Sequence, residues 1–211
     1  MYLFSRRTRL AGGNGTAGVE WAVQIGAKVT AITGRDVQLW ANAYSPGFGT
    51  ITWTAWFEDL TALESMGDQI NADGSFMDLV AAGAGLTEGG LDDGVVQVLA
   101  GAPDPERPIQ YVSGATAIIA GGSFERAIGL SIELAQRGEK VTGVPGLFGR
   151  ALTGPYGSVG WLTGYESIAQ LERANDALAA DPEMLKLIDG TKGCFVEDAG
   201  AAQTTLYRKL A

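Results

Sequence analysis

Two stretches decide how this chain folds: Tyr44-Ser-Pro-Gly-Phe-Gly-Thr-Ile-Thr-Trp53 and Thr153-Gly-Pro-Tyr-Gly-Ser-Val-Gly-Trp161. Each carries a Pro in a Gly-rich turn, then a short β-prone run ending in Trp, then Glu58 or Glu166 ahead of a helical pattern. A displacement of 108 residues superimposes Gly49 on Gly157, Trp53 on Trp161, Glu58 on Glu166, Leu63 on Leu171, Asp73 on Asp181 and Leu79 on Leu187. Phe48 then meets Tyr156, Ile51 meets Val159 and Phe57 meets Tyr165. An ordered series of this kind means a duplicated unit.

Working outward, the first copy reads β-α-β-β-α-β. A strand over 1–11 is followed by a helix over 16–28 with Thr16 as cap, strands over 37–44 and 49–57, and a helix capped by Asp59. A short helix over 75–82 and a strand over 94–100 complete it. Residues 101–108 (GAPDPERP) hold three prolines and read as a stiff linker. The order then repeats: a strand over 109–120, a helix from Ser123 to Gly138, strands over 146–153 and 157–165, a helix behind the capping box Ser167-x-x-Gln170, a helix start at Asp181-Pro182-Glu183, and a strand over 202–210. Ala11-Gly12-Gly13 matches Ala120-Gly121-Gly122, and Lys28-Val29-Thr30 matches Lys140-Val141-Thr142. The expected division is a first unit over 1–100, the linker 101–108, and a second unit over 109–211.

Composition narrows the function. The chain has 211 residues, 46% hydrophobic and 18% charged, enough for a packed core. A net charge of −9 offers no basic surface for phosphates, so no nucleic-acid partner is expected. The one basic cluster, Arg6-Arg7-Thr8-Arg9, reads as a paired or solvated strand face. No apolar run reaches the roughly 18 residues of a membrane span, and no signal-peptide pattern opens the chain, so a cytoplasmic protein without a membrane partner is expected. The single Cys194 permits no internal disulfide and reads as a small buried hydrophobe. There is no His, which removes Ser–His and Cys–His nucleophile pairs, imidazole zinc sites and histidine-ligated haem. Neither a metal site nor a cofactor is expected.

A tandem β-α-β-β-α-β repeat with Ala180-Asp181-Pro182-Glu183-Met184-Leu185 behind the second Trp strand resembles the dimeric α/β-barrel (ferredoxin-like) superfamily, NIPSNAP proteins and antibiotic-biosynthesis monooxygenases included. The resemblance implies an α+β fold of two ferredoxin-like units forming one intramolecular α/β-barrel. It further implies a small-molecule-binding protein, with cofactor-independent monooxygenation of an aromatic or hydrophobic substrate as the associated chemistry. The histidine-dependent members are out of reach for a chain without His.

Two other readings stand beside it. The absence of any catalytic constellation fits a structural protein assembling into homo-oligomers. Gly13-x-Gly15-x-x-Gly18, followed by Gly26-Ala-Lys-Val-Thr-Ala-Ile-Thr-Gly-Arg35-Asp36 as a second strand, fits a dinucleotide fingerprint. Against it, the second copy lacks the fingerprint and no Tyr-x-x-x-Lys pair exists.

The candidate ligand-binding residues are Trp40, Asn42, Trp53, Phe148, Arg150 and Trp161, aromatic and polar groups on the central strands, facing a small hydrophobic ligand. Arg150 and Asn42 read as counterparts. Glu58 and Glu166 read first as helix-start acids, with a general base as the minority reading. Asp92-Asp93 and Glu197-Asp198 read as loop acids.

Overall fold

The computed structural model describes residues 1–198 and 200–211. The chain is mixed α+β. In hydrogen-bonding order its strands run β1-β3-β2-β8-β5-β7-β6-β4 and close into a barrel. Here β1 is Tyr2–Leu10, β2 Gln38–Asn42, β3 Thr50–Phe57, β4 Thr87–Ala100, β5 Tyr111–Ile118, β6 Gly146–Ala151, β7 Ser158–Tyr165 and β8 Gln203–Lys209. The helices are α1 Gly15–Thr33, α2 Leu60–Ala72, α3 Gly74–Ala82, α4 Phe124–Thr142, α5 Ile168–Ala180 and α6 Pro182–Gly190. Two compact units divide the chain: Met1–Val95 with Arg208–Ala211, and Val96–Tyr207.

In the first unit β3 pairs antiparallel with β1 and with β2, Tyr2 lying opposite Phe57 and Leu39 opposite Trp53. Strict alternation decides which face is covered: Ile51, Trp53, Ala55 and Phe57 are buried, while the residues between them are only partly so. α1 is longer than expected. It begins behind Asn14 instead of Thr16, and the Asn14 side chain donates to the Gly85 carbonyl at 3.1 Å. It also continues past residue 28 to a left-handed Gly34 cap. Gly26, which looks like a helix breaker, is buried in the interior, and a Cβ there would lie 3.6 Å from the Trp53 ring. The strand required by the dinucleotide fingerprint is therefore the second half of a helix, and that reading loses its second strand.

β4 starts seven residues earlier than expected. Glu88, Asp92 and Asp93 are strand residues paired with Arg9, Arg7 and Arg6 at 3.9, 3.5 and 2.7 Å. Cross-strand charge compensation lets an acidic, Gly-rich segment pair as a strand, although each exposed pair contributes only about 0–1 kcal/mol.

The second unit repeats these devices. β7 pairs antiparallel with β5 and β6, and β6 with the end of β4. α4 has the same 19 residues as α1 and the same left-handed Gly cap, at Gly143. The Ser123 hydroxyl bonds the Gly193 carbonyl at 3.1 Å, as Asn14 bonds Gly85. Half of the capping box at α5 is formed, with Gln170 N–H on Ser167 Oγ, while the Gln170 side chain accepts from Glu166 N–H, one residue before the cap.

Superposing the two helices corrects the register. Thr33 and Thr142, each bonding the carbonyl four residues back at 2.8 Å, are counterparts, so Lys28 corresponds to Arg137 and not to Lys140. Lys28 pairs with Asp73, the N-cap of α3, and Arg137 with Asp181, the N-cap of α6. The strands correct a second match. Ala41 lies opposite Ile51 and Arg150 opposite Val159, so the counterpart of Arg150 is Ala41, not Asn42. The second hairpin is one residue shorter than the first, which a single displacement cannot accommodate.

Candidate functional site

With the register corrected, the helix-covered faces of the two units can be compared position by position. In the first unit that face is filled. Leu39, Ile51, Trp53, Phe57, Met66 and Phe76 belong to one continuous buried cluster. Trp21 closes it, meeting Trp53 edge-on at 5.7 Å and donating its indole N–H to the Leu79 carbonyl at 2.9 Å. Trp21 fits because residue 83 is Gly: a Cβ there would run into the indole.

In the second unit the same positions lose bulk. Leu130 stands for Trp21, Gly138 for Val29, Ala174 for Met66 and Met184 for Phe76, while Thr191 replaces the permissive Gly83. The core falls into two separate clusters, one around Phe148, Val159 and Cys194, the other around Val144, Tyr165 and Ala174. A cleft of about 530 Å³ touches both, walled by Trp161, Thr163 and Tyr165 of β7, by Leu134 and Gly138 of α4, and by Met184 and Ile188 of α6. This volume lies in the range of small-molecule sites. Trp161 is only partly buried, whereas its counterpart Trp53 is 5% exposed.

The cleft has also gained hydroxyls. Tyr165 replaces Phe57 and Thr163 replaces Ala55 on its wall, while Ser131, which does not line it, replaces Ala22. Tyr165 is 4% exposed, and its phenol is pushed above the ordinary tyrosine pKa by burial, partly offset by the neighbouring Thr163 hydroxyl. Ser131 is fully buried and its Oγ has no hydrogen-bond partner. Its carbonyl accepts the Trp161 indole N–H at 3.3 Å, as the Ala22 carbonyl accepts that of Trp53 at 2.9 Å.

The six residues singled out from the sequence are dispersed. Within the second unit Phe148 and Trp161 stack at 5.3 Å, and Trp161 lines the cleft. Arg150 is exposed and bonds Gln97 at 3.0 Å, away from the lining. Within the first unit Trp53 is packed in the core. Trp40 lies on the other face of the sheet, its indole on Thr54 Oγ1 at 2.9 Å and Lys209 6.0 Å above its ring. Asn42 holds the hairpin by donating to the Pro46 carbonyl at 2.8 Å and borders a second concavity of about 720 Å³ formed largely by turn residues 41–48. Comparing the two copies at Ala55/Thr163 and Ala22/Ser131 is the signal that would have found the missed hydroxyls.

Glu58 receives both Arg35 contacts, at 2.9 and 3.1 Å, and its carboxyl is held below its ordinary pKa by its own backbone N–H first and Arg35 second. A carboxylate stabilised in this way is a poor proton acceptor near neutrality. Among the described residues no group of three or more Cys, Asp or Glu side chains is placed to hold a metal ion. No helix there is long and apolar enough to cross a membrane.

The chain has the dimeric α/β-barrel fold. It is similar over its whole length to a "Putative monooxygenase" from Fusobacterium nucleatum subsp. nucleatum ATCC 25586, at 10% identity and a TM-score of 0.74, covering 92% of that chain. A "Putative monooxygenase" from Lactobacillus acidophilus NCFM matches at 9% identity and a TM-score of 0.68, with 99% of this chain and 93% of that one covered. An anthrone oxidase-like protein matches at 12% identity and a TM-score of 0.66, covering 100% of this chain and 91% of that one. At these identities the likeness is one of fold. No family model and no curated protein matches the chain.

Proposed function

We propose that this protein binds a small, largely hydrophobic molecule with an aromatic body in the cleft of its second unit, against Trp161. The observation that carries the reading is the loss of packing volume at that cleft, where Gly138 and Met184 stand in place of the first unit's Val29 and Phe76. A duplication that keeps one core closed and opens the other is what a ligand site in one copy requires. The tandem ferredoxin-like organisation, each half in β-α-β-β-α-β order, belongs to the same reading. The names of the fold neighbours extend it to monooxygenation of the bound molecule, which we propose proceeds without a cofactor. A thermal-shift screen of aromatic hydrocarbons, quinones and flavins tests the binding: several kelvin of stabilisation by at least one neutral aromatic is expected, and the reading is abandoned if none stabilises the protein.

The assembly reading keeps one observation in its favour. The hairpin turns expose aromatics, with Tyr44 and Tyr156 each 89% and Phe48 87% exposed. We infer a homo-oligomer formed through such turns as the second reading. Light scattering that finds only monomer at high concentration removes it.

A further inference from the structure

We propose that Tyr165 and Thr163 select, within this cleft, a neutral apolar ligand carrying one acceptor oxygen, of the ketone or aldehyde class. The proposal rests on the cleft being a ligand site, and it adds what the ligand must present there.

Tyr165 and Thr163 are two residues apart on β7, so their side chains leave the sheet on the same face, and both line the cleft. Their first-unit counterparts, Phe57 and Ala55, pack tightly without any polar atom. Introducing hydroxyls into a sheet face that works without them costs desolvation unless they find partners. Burial raises the Tyr165 phenol above its ordinary pKa, so it stays protonated and, on the cleft wall, offers its O–H to a ligand oxygen.

Charge narrows the class further. Glu139 is the one ionised side chain among the lining residues, and neither Lys nor Arg lines the cleft. An anionic ligand would be desolvated without a counter-charge, next to a carboxylate. A carboxylic acid therefore fits poorly, and a carbonyl compound fits well.

The test uses three naphthalenes of similar size: 2-acetylnaphthalene, 2-ethylnaphthalene and 2-naphthoate, titrated into the full chain and into Tyr165→Phe. The substitution recreates the residue found at the equivalent place in the first unit, and a thermal melt of the variant verifies folding. The ketone should bind the wild type about tenfold more tightly than the ethyl compound, with naphthoate weakest. In Tyr165→Phe the preference for ketone over hydrocarbon should collapse, while ethylnaphthalene affinity stays within about twofold. Equal binding of ketone and hydrocarbon, unchanged by the variant, overturns the proposal and leaves the cleft a hydrophobic site. Tightest binding by naphthoate also overturns it. If none of the three binds the wild type, the ligand-site reading itself fails.

Discussion

Gly138 faces Met184 across the cleft of the second unit: a Cβ built on Gly138 would find the Met184 methyl as its nearest neighbour, at 3.7 Å. In the first unit Val29 occupies that position and is buried. Gly138 therefore sits in a helix interior with room beside it, and Gly138→Ala should stabilise the protein by about 0.5–1 kcal/mol through the lower entropy of its unfolded chain and better helix propensity. Urea denaturation checks this. A loss of stability would mean that the neighbouring side chains do not leave the space described.

Gly83 is the opposite case. The Trp21 indole lies where its Cβ would be. Gly83→Ala should cost about 1–3 kcal/mol, the usual penalty for overpacking. Trp21 fluorescence should change with it, because its indole is displaced from the Leu79 carbonyl. An unchanged melting temperature would contradict the filled first core.

Ser131 buries a hydroxyl without a partner. Ser131→Ala installs the residue found at the same place in the first unit, and stability should stay level or rise by up to about 1 kcal/mol. A loss of more than that, read from chemical denaturation, would mean that Ser131 Oγ has a partner in solution.

The N-cap acids of α3 and α6 set the acid limb of stability. The Asp181 carboxyl is held below its ordinary pKa chiefly by Arg137, and that of Asp73 chiefly by the Ser75 hydroxyl. Folded-state values below the unfolded ones mean that the stabilisation is present above the unfolded value of about 4 and disappears as pH falls through the depressed folded values. Asp181→Asn keeps a competent cap but removes the titration. Its stability should be lower than wild type at pH 7, and the difference should shrink as the pH is lowered from about 4 towards 2. A difference independent of pH would contradict the ion pair.

The order of elements could be read from the repeat because turn and cap residues recur at like places, Asp59 and Ser167 among them. Three features were hidden for physical reasons. The helix read over 16–28 runs on to Thr33, because Gly26, which weakens the pattern, packs beneath Trp53 and that burial outweighs its poor propensity. Glu88 to Asp93 look like a solvated loop, and only the cross-strand arginines reveal the strand. The counterpart of Arg150 was misplaced because one residue is missing from the second hairpin. As for the site, aromatic strand residues were visible as a class, but the sequence does not say which of them are packed like Trp53 and which border space like Trp161. That depends on residues far away in the chain, Val29 against Gly138 and Phe76 against Met184.

The most direct measurement is a titration with N-phenyl-1-naphthylamine, a neutral hydrophobic fluorophore, into wild type, Gly138→Leu, and a variant with both Tyr44 and Phe48 changed to Ser. Wild type should show saturable one-site binding. Gly138→Leu, which fills the second-unit cleft, should bind at least about tenfold more weakly while keeping its melting temperature, and the turn variant should bind like wild type. Undiminished binding by Gly138→Leu, with binding lost in the turn variant, would contradict the assignment of the ligand site to the second unit's cleft.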